Sequence, residues 1–166
     1  VIPDAFIGMG SNLGDREGTL REACRRLALR GAPVRAGSSL YLTEPVGGPP
    51  QGWFVNAVVR AETSLGPEEL LRALLEVESE LGRRRLERHG PRTLDLDLLL
   101  YGDDVRDTPF LRLPHPRLPE RRFVLVPLEE LDPRRRHPVS GLTVRELRER
   151  CPDTAAVVRH APPVCP

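Results

Sequence analysis

No lysine occurs in the 166 residues, so all 25 basic side chains apart from histidine are arginines. Any phosphate must then be met by guanidinium forks or backbone amides. A phosphate loop built on lysine is excluded, and a GxGxxG pattern is absent as well. Long apolar runs are missing too. No stretch approaches the length of a transmembrane helix, and no basic segment followed by an apolar run opens the chain, so a cytoplasmic location is expected. Charge of neither sign dominates. A net charge of +1 with 30 % charged residues describes a balanced surface, not the strong positive field of a nucleic-acid or membrane binder. Cysteine is scarce: Cys24, Cys151 and Cys165 are an odd number at no metal-like spacing. They read as reduced thiols, a Cys151–Cys165 bridge being the alternative. The length suits one domain with a sizeable core and is too short for two. A single domain over residues 1–166, with a tail at 161–166, is expected.

What the chain does have is a strand-like stretch that carries two acids, Arg92-Thr93-Leu94-Asp95-Leu96-Asp97-Leu98-Leu99-Leu100-Tyr101. Successive side chains of a strand point to opposite faces, so Asp95 and Asp97 share one face and Leu94, Leu96 and Leu98 the other. Their Cα atoms would lie roughly 6.6 Å apart, close enough for both carboxylates to converge on small hard cations. Mg²⁺ is the candidate, since it is typically held by one or two carboxylates plus substrate phosphates. An edge strand with a solvated face would show the same alternation. Against it stands the apolar run Leu98-Leu99-Leu100, which leaves no polar face to solvate.

Residues 5–10 form a short apolar run ending in glycines, consistent with a first, central strand. Asp15 then caps a helix whose positions Leu20, Ala23, Cys24, Leu27 and Ala28 recur at the spacing of one buried face, and which Gly31 and Pro33 stop. Leu40 to Thr43 reads as the end of a second strand. The Gly- and Pro-rich stretch 44–52 cannot continue a regular element and is expected to be a mobile loop. A third strand, Trp53 to Thr63, puts Val55, Ala57, Val59 and Ala61 on one face and Phe54, Asn56, Val58 and Arg60 on the other. Phe54 can stack on a flat ligand while Asn56 reads a heterocycle edge; a surface Phe beside a turn-forming Asn gives the same pattern.

Pro67 and Gly82 bracket a second helix. Glu78 projects into its apolar stripe between Leu74 and Leu71 and needs a partner there, either a structural arginine or a polar site. Segment 82–92 holds five arginines and a histidine directly before the two acids, the arrangement expected around a polyphosphate. With 44–52, the stretch 82–91 is expected to act as a lid. Gly102-Asp103-Asp104 marks a turn. In the irregular segment 113–123, His115 between two prolines is either a positioned donor or an exposed side chain. The apolar run Val124 to Leu128 follows, then a short helix from Leu142 to Leu147, and the Pro-rich end from Ala161 reads as a tail.

Strand, helix, strand, strand, helix, strand is the split βαβ order. The expected fold is α+β, a ferredoxin-like sandwich with an antiparallel sheet and helices packed on it. RNA-recognition domains share the layout but stack bases on aromatic-rich strands, and the central first strand here holds only Phe6.

With these motifs assembled, the chain resembles the 6-hydroxymethyl-7,8-dihydropterin pyrophosphokinase family of folate biosynthesis, from about Phe6 to Leu131. The resemblance is carried by Gly90-Pro91-Arg92-Thr93-Leu94-Asp95-Leu96-Asp97. Supporting it are Gly10-Ser11-Asn12-Leu13-Gly14, Thr43-Glu44-Pro45-Val46-Gly47, Phe54-Val55-Asn56-Ala57, and Pro114-His115-Pro116-Arg117 with Arg121 to Phe123. It implies transfer of the diphosphate of ATP to a pterin alcohol, with AMP released. Asp95 and Asp97 would bind two Mg²⁺ ions, and Arg83 and Arg92 would join them as catalytic residues. Phe54 and Phe123 would sandwich the pterin while Asn56, Thr43 and Val46 read its edge. Arg83, Arg92, His115 and Arg121 would hold ATP phosphates, with Glu78 nearby. His89 stands where some members have tryptophan, and Phe110 and Arg112 where some have arginine and threonine. No nucleic-acid or membrane partner is expected, and the chain is expected to be a monomer. A non-catalytic pterin- or nucleotide-binding module would need no metal, and a single-phosphoryl kinase would release ADP.

Overall fold

The computed structural model describes residues 2–82 and 93–165. Strand β1 (Asp4–Ser11) lies between two antiparallel neighbours, β4 (Phe54–Glu62) and β5 (Asp95–Tyr101). Strands β2 (Val34–Gly37) and β3 (Leu40–Thr43) both pair with β4, β8 (Val157–Ala161) adds to β3, and β6 (Arg106–Asp107) and β7 (Arg112–Leu113) pair with each other apart from this sheet. The main path is therefore β5-β1-β4-β3-β8. Helix α1 (Arg16–Leu29) leads from β1 to β2 past β4, and α2 (Pro67–Glu80) leads from β4 to β5 past β1. This is the split βαβ arrangement, the expected α+β sandwich.

The local chemistry accounts for these elements. Asp15 accepts from the Gly18 N–H at 3.1 Å and so caps α1, which buries Leu20, Ala23, Cys24 and Leu27. Ala28, expected on that face, is exposed. Helix α2 starts on Pro67, where a missing N–H costs nothing, and ends before Gly82 at φ +76°. Strand β4 alternates as expected. Val55, Ala57, Val59 and Ala61 face α1 and α2 in one core, while Val58 meets Phe6, Leu99 and Leu100 in a second core under α3 (Arg122–Leu131) and α4 (Val144–Arg150). The sheet is thus packed on both faces.

Several expectations are corrected. The acid-bearing strand β5 is a sheet edge rather than an interior strand. Its outer side is covered where the His115 N–H donates to Leu99 O at 2.9 Å, and a bulge turns Leu99 and Leu100 together into the second core. The second strand is broken at Ser38-Ser39, where Glu130 of α3 accepts from the Ser39 N–H and hydroxyl and from the Tyr41 hydroxyl. Burial raises the Glu130 carboxyl, but these donors prevail and hold it below its ordinary value. The run Val124 to Leu128 is helix despite the internal Pro127. The last helix, Val144–Arg150, lies further along than expected because Thr143 and Glu146 form a capping box. Among the described residues no helix is long and apolar enough to cross a membrane.

The expected tail is built into the fold. Strand β8 pairs with β3, Cys165 is only 5 % exposed, and a disulfide joins it to Cys24 of α1 across a sequence separation of 141. The reading of all three cysteines as thiols therefore fails, and so does the Cys151–Cys165 alternative; Cys151 is the free one. A cross-link closing so long a loop removes much denatured-chain entropy. Cys165→Ser is expected to lower the unfolding free energy by about 2–4 kcal/mol in urea titrations, whereas Cys151→Ser leaves the midpoint close to that of the parent protein.

Candidate active site

The register of the three central strands makes the floor of a cleft. Across β1, Gly10 faces Asn56 of β4 and Asp95 of β5, and Gly8 faces Val58 and Asp97. Directly opposed residues of a sheet share a face, so the two acids and the amide stand on the α3 side, above a strand that carries no side chain there. The clearance at Gly10 is required. A Cβ would lie 2.3 Å from Asn56 Oδ1, whereas at Gly8 it would meet Leu99 Cδ1 at an ordinary 3.5 Å. The Asn56 amide donates from Nδ2 to Thr43 Oγ1 at 2.6 Å, which fixes its plane. The cleft above this floor has a volume of about 660 Å³.

Its walls come from distant parts of the chain. The turn from β3 contributes Thr43, Glu44, Pro45 and Val46, and α2 contributes Leu71, Leu75 and Glu78. Glu78 is 4 % exposed and accepts from the Leu96 N–H at 2.7 Å, which ties the helix to the acid-bearing strand. From the α3 side come His115, Arg117, Glu120, Arg121 and Phe123. Arg121 lies 3.6 Å from Asp97 Oδ2, and its Cζ sits 5.6 Å from the centre of the Phe123 ring. Burial lowers the Arg121 pKa from its ordinary value, with Asp97 opposing. Burial likewise lowers His115, helped by Arg121 and Arg117 and opposed by Asp97. The Arg117 N–H donates to His115 Nδ1 at 3.1 Å, so the neutral ring carries its proton on Nε2 and offers a donor.

Every predicted site residue within the described chain lines this one cleft: Thr43, Val46, Phe54, Asn56, Glu78, Asp95, Asp97, His115, Arg121 and Phe123. Arg83 and Arg92 lie outside the described residues, as does most of the expected lid at 82–91. The other expected loop, 44–52, contains no helix or strand and has Gly47 and Gly48 at positive φ. Phe110 is 45 % exposed beneath the Arg72 guanidinium, and Arg112 is exposed. Sequence reasoning missed Leu71 and Leu75, although they precede Glu78 at helical spacing. It also missed Gln51, Glu120 and Asp153, for which no local pattern speaks.

The donor set suits a hard cation. Asp95 and Asp97 are half-buried carboxylates two residues apart on one strand face, open to a polar cleft over glycine backbone. Among the described residues no group of three or more acidic, histidine or cysteine side chains forms a metal cluster. Two carboxylates suffice for Mg²⁺ when substrate phosphates and water complete its oxygen shell.

The family model for 7,8-dihydro-6-hydroxymethylpterin-pyrophosphokinase matches residues 6–133. Proteins named 2-amino-4-hydroxy-6-hydroxymethyldihydropteridine pyrophosphokinase are similar in sequence. The one from Synechocystis is 45 % identical over 152 residues, covering 91 % of this chain and 77 % of its own. That of Bacillus subtilis is 49 % identical over 128 residues, covering 76 % and 77 %, and that of Aquifex aeolicus 38 % over 143 residues, covering 86 % and 89 %. In fold the chain resembles the Plasmodium falciparum HPPK-DHPS wild type with pteroate, at a TM-score of 0.72 and 16 % identity. The likeness covers 90 % of this chain and 42 % of that one, less than half the length of that structure.

Two outcomes follow from the floor and the wall. Gly10→Ala pushes the Asn56 amide off Thr43 and is expected to cost about 1–3 kcal/mol of stability, while Gly8→Ala stays within about 0.5 kcal/mol; urea unfolding of both variants checks the contrast. For His115, the folded chain disfavours the imidazolium relative to the unfolded chain. Stability is therefore full above the ordinary His value of 6.5 and falls as the pH drops from there toward the lowered one. An NMR titration should place the His115 midpoint below 6.5, and the loss of stability over that window should shrink in His115→Gln.

Proposed function

The chain belongs to the 7,8-dihydro-6-hydroxymethylpterin-pyrophosphokinase family, and we propose that the cleft over Gly8 and Gly10 is where its reaction takes place. It is a pyrophosphokinase of folate biosynthesis. The reaction transfers the diphosphate of ATP to the hydroxymethyl group of 6-hydroxymethyl-7,8-dihydropterin. The hydroxymethyl oxygen attacks the β-phosphorus, the bond to the α–β bridging oxygen breaks, and AMP leaves with the electron pair. The hydroxyl proton passes to solvent.

Phe54 and Phe123 clasp the pterin ring on its two faces, with Asn56 and the backbone around Thr43 and Val46 reading its polar edge. Asn56 keeps Oδ1 for this task because its Nδ2 is engaged by Thr43. Asp95 and Asp97 hold two Mg²⁺ ions. When bound, Mg²⁺ neutralises phosphate oxygens and makes the attacking hydroxyl more acidic. Arg121 and the Nε2–H of neutral His115 face the transferred phosphates, joined by Arg83 and Arg92, with Glu78 behind the metal ligands. We read the enzyme as one domain acting as a monomer in the cytoplasm. What supports the reading is the convergence on one cleft of the two acids, the two aromatics, the amide and the cationic side chains, drawn from three separate stretches of sequence, 54–56, 95–97 and 115–123.

With ATP labelled at the β position, AMP should accumulate in step with pterin diphosphate, and the label should appear on the pterin. Asp95→Ala and Asp97→Ala should each lower turnover about a thousandfold or more while leaving the fold intact, as loss of a metal clamp does. ADP as the nucleotide product, or near-normal turnover in either variant, would overturn the reading.

A further inference from the structure

Helix α3 starts at Arg122, and the residue before it, Arg121, makes no side-chain cap bond. The first N–H groups of a helix have no acceptor within it. Here the Arg122 N–H is taken by Asp153 Oδ2 at 3.0 Å, from 31 residues further along the chain. The other carboxylate oxygen accepts from the Ala155 N–H at 2.9 Å, which fixes the carboxylate on its own turn. One residue on, the Ala156 N–H donates to Glu44 Oε1 at 2.7 Å, and Ala156 O accepts from the Glu44 N–H at 3.1 Å. Val157 then pairs with Thr43. Residues 153–157 thus join the turn that carries Phe123 to the strand end that carries Thr43, and both Asp153 and Glu44 line the cleft.

We propose that Asp153, assisted by Glu44, is a positioning residue that sets the gap between Phe123 and the Thr43 edge, and so determines how tightly a flat heterocycle is held. The inference rests on reading that gap as the pterin slot. Arg121 has independent anchors, Asp97 and a backbone bond from its N–H to Leu118 O at 3.4 Å. Releasing Asp153 therefore loosens the aromatic wall and leaves the anion-facing guanidinium in place, and the effect falls on the pterin rather than on ATP.

Steady-state kinetics on the full chain test this. Asp153→Ala should raise the KM for the pterin about tenfold, the size expected for a lost helix cap, with the KM for ATP changed by less than about twofold. Asp153→Asn keeps an acceptor oxygen and should restore most of the pterin KM. An unchanged pterin KM, an equal rise for both substrates, or no rescue by Asn overturns the proposal. Should Asp153→Ala fail to fold, Glu44→Ala gives the same readout, with a rise of about threefold expected; no rise overturns the proposal. Phe123→Ala, measured alongside, separates the two ideas. If it raises the pterin KM while Asp153→Ala does not, only the positioning role falls; if it too leaves that KM unchanged, the slot itself is misplaced and both fall.

Discussion

The site depends on a clearance in the central strand. A three-stranded antiparallel core ordinarily fills both faces with side chains, and on the face toward α3 the strand β1 begins that way with Phe6. Two steps further, and two more, it offers Gly8 and Gly10 instead. The Asn56 side chain leans over the bare backbone at Gly10, in space that a Cβ there would occupy, and the two carboxylates stand on the same face from the other neighbouring strand. The same period of two that assigns residues to faces thus divides one face into an apolar half under α3 and α4 and a polar half that is the cleft.

That division also explains how an exposed function and a stable fold share strands. Leu96 and Leu98 of β5 are buried against α2 while Asp95 and Asp97 point the other way. Glu78 couples the two sides, because its carboxylate leaves the apolar stripe of α2 to take the Leu96 N–H between the two acids. An acid buried so deeply is stabilised only where donors meet it, and the backbone amide it uses belongs to the strand it helps to hold in place. The position of the acid-bearing face is in this way fixed by a helix whose buried apolar side chains pack under the sheet.

How much was legible in the sequence follows from the range over which each signal acts. Alternation in β4 and β5, the Asp15 cap and the Pro67–Gly82 bracket are local, so the split βαβ order, the core face toward α1 and α2, and Phe54, Asn56, Asp95 and Asp97 of the cleft could be read from the residues themselves. Thr43, Val46, Arg121 and Phe123 came instead from the family resemblance. Helix α3 could not, because Pro127 and an unbroken apolar run erase the helical period. Whether β5 lies at an edge depends on what pairs beyond it, which its own residues do not encode. The joining of Cys24 to Cys165 and of Asp153 to Arg122 depends on tertiary approach between segments with no periodic pattern. What escaped was Leu71 and Leu75 on α2, and Gln51, Glu120 and Asp153, which line the cleft from stretches with no periodic pattern.

The disulfide changes how the molecule would respond to being pulled. With Cys165 tied to α1, a force applied beyond residue 165 enters at Cys24, on a helix packed over the sheet, and bypasses β8. Without the link the same force draws Cys165 out of the core and then meets β8, an edge strand whose bonds to β3 can open one after another, and peeling it would strip away the segment joining Phe123 to Thr43. An unfolding machine working from that side would thus find the oxidised protein failing late and all at once, and the reduced protein failing early at the gap between Phe123 and Thr43.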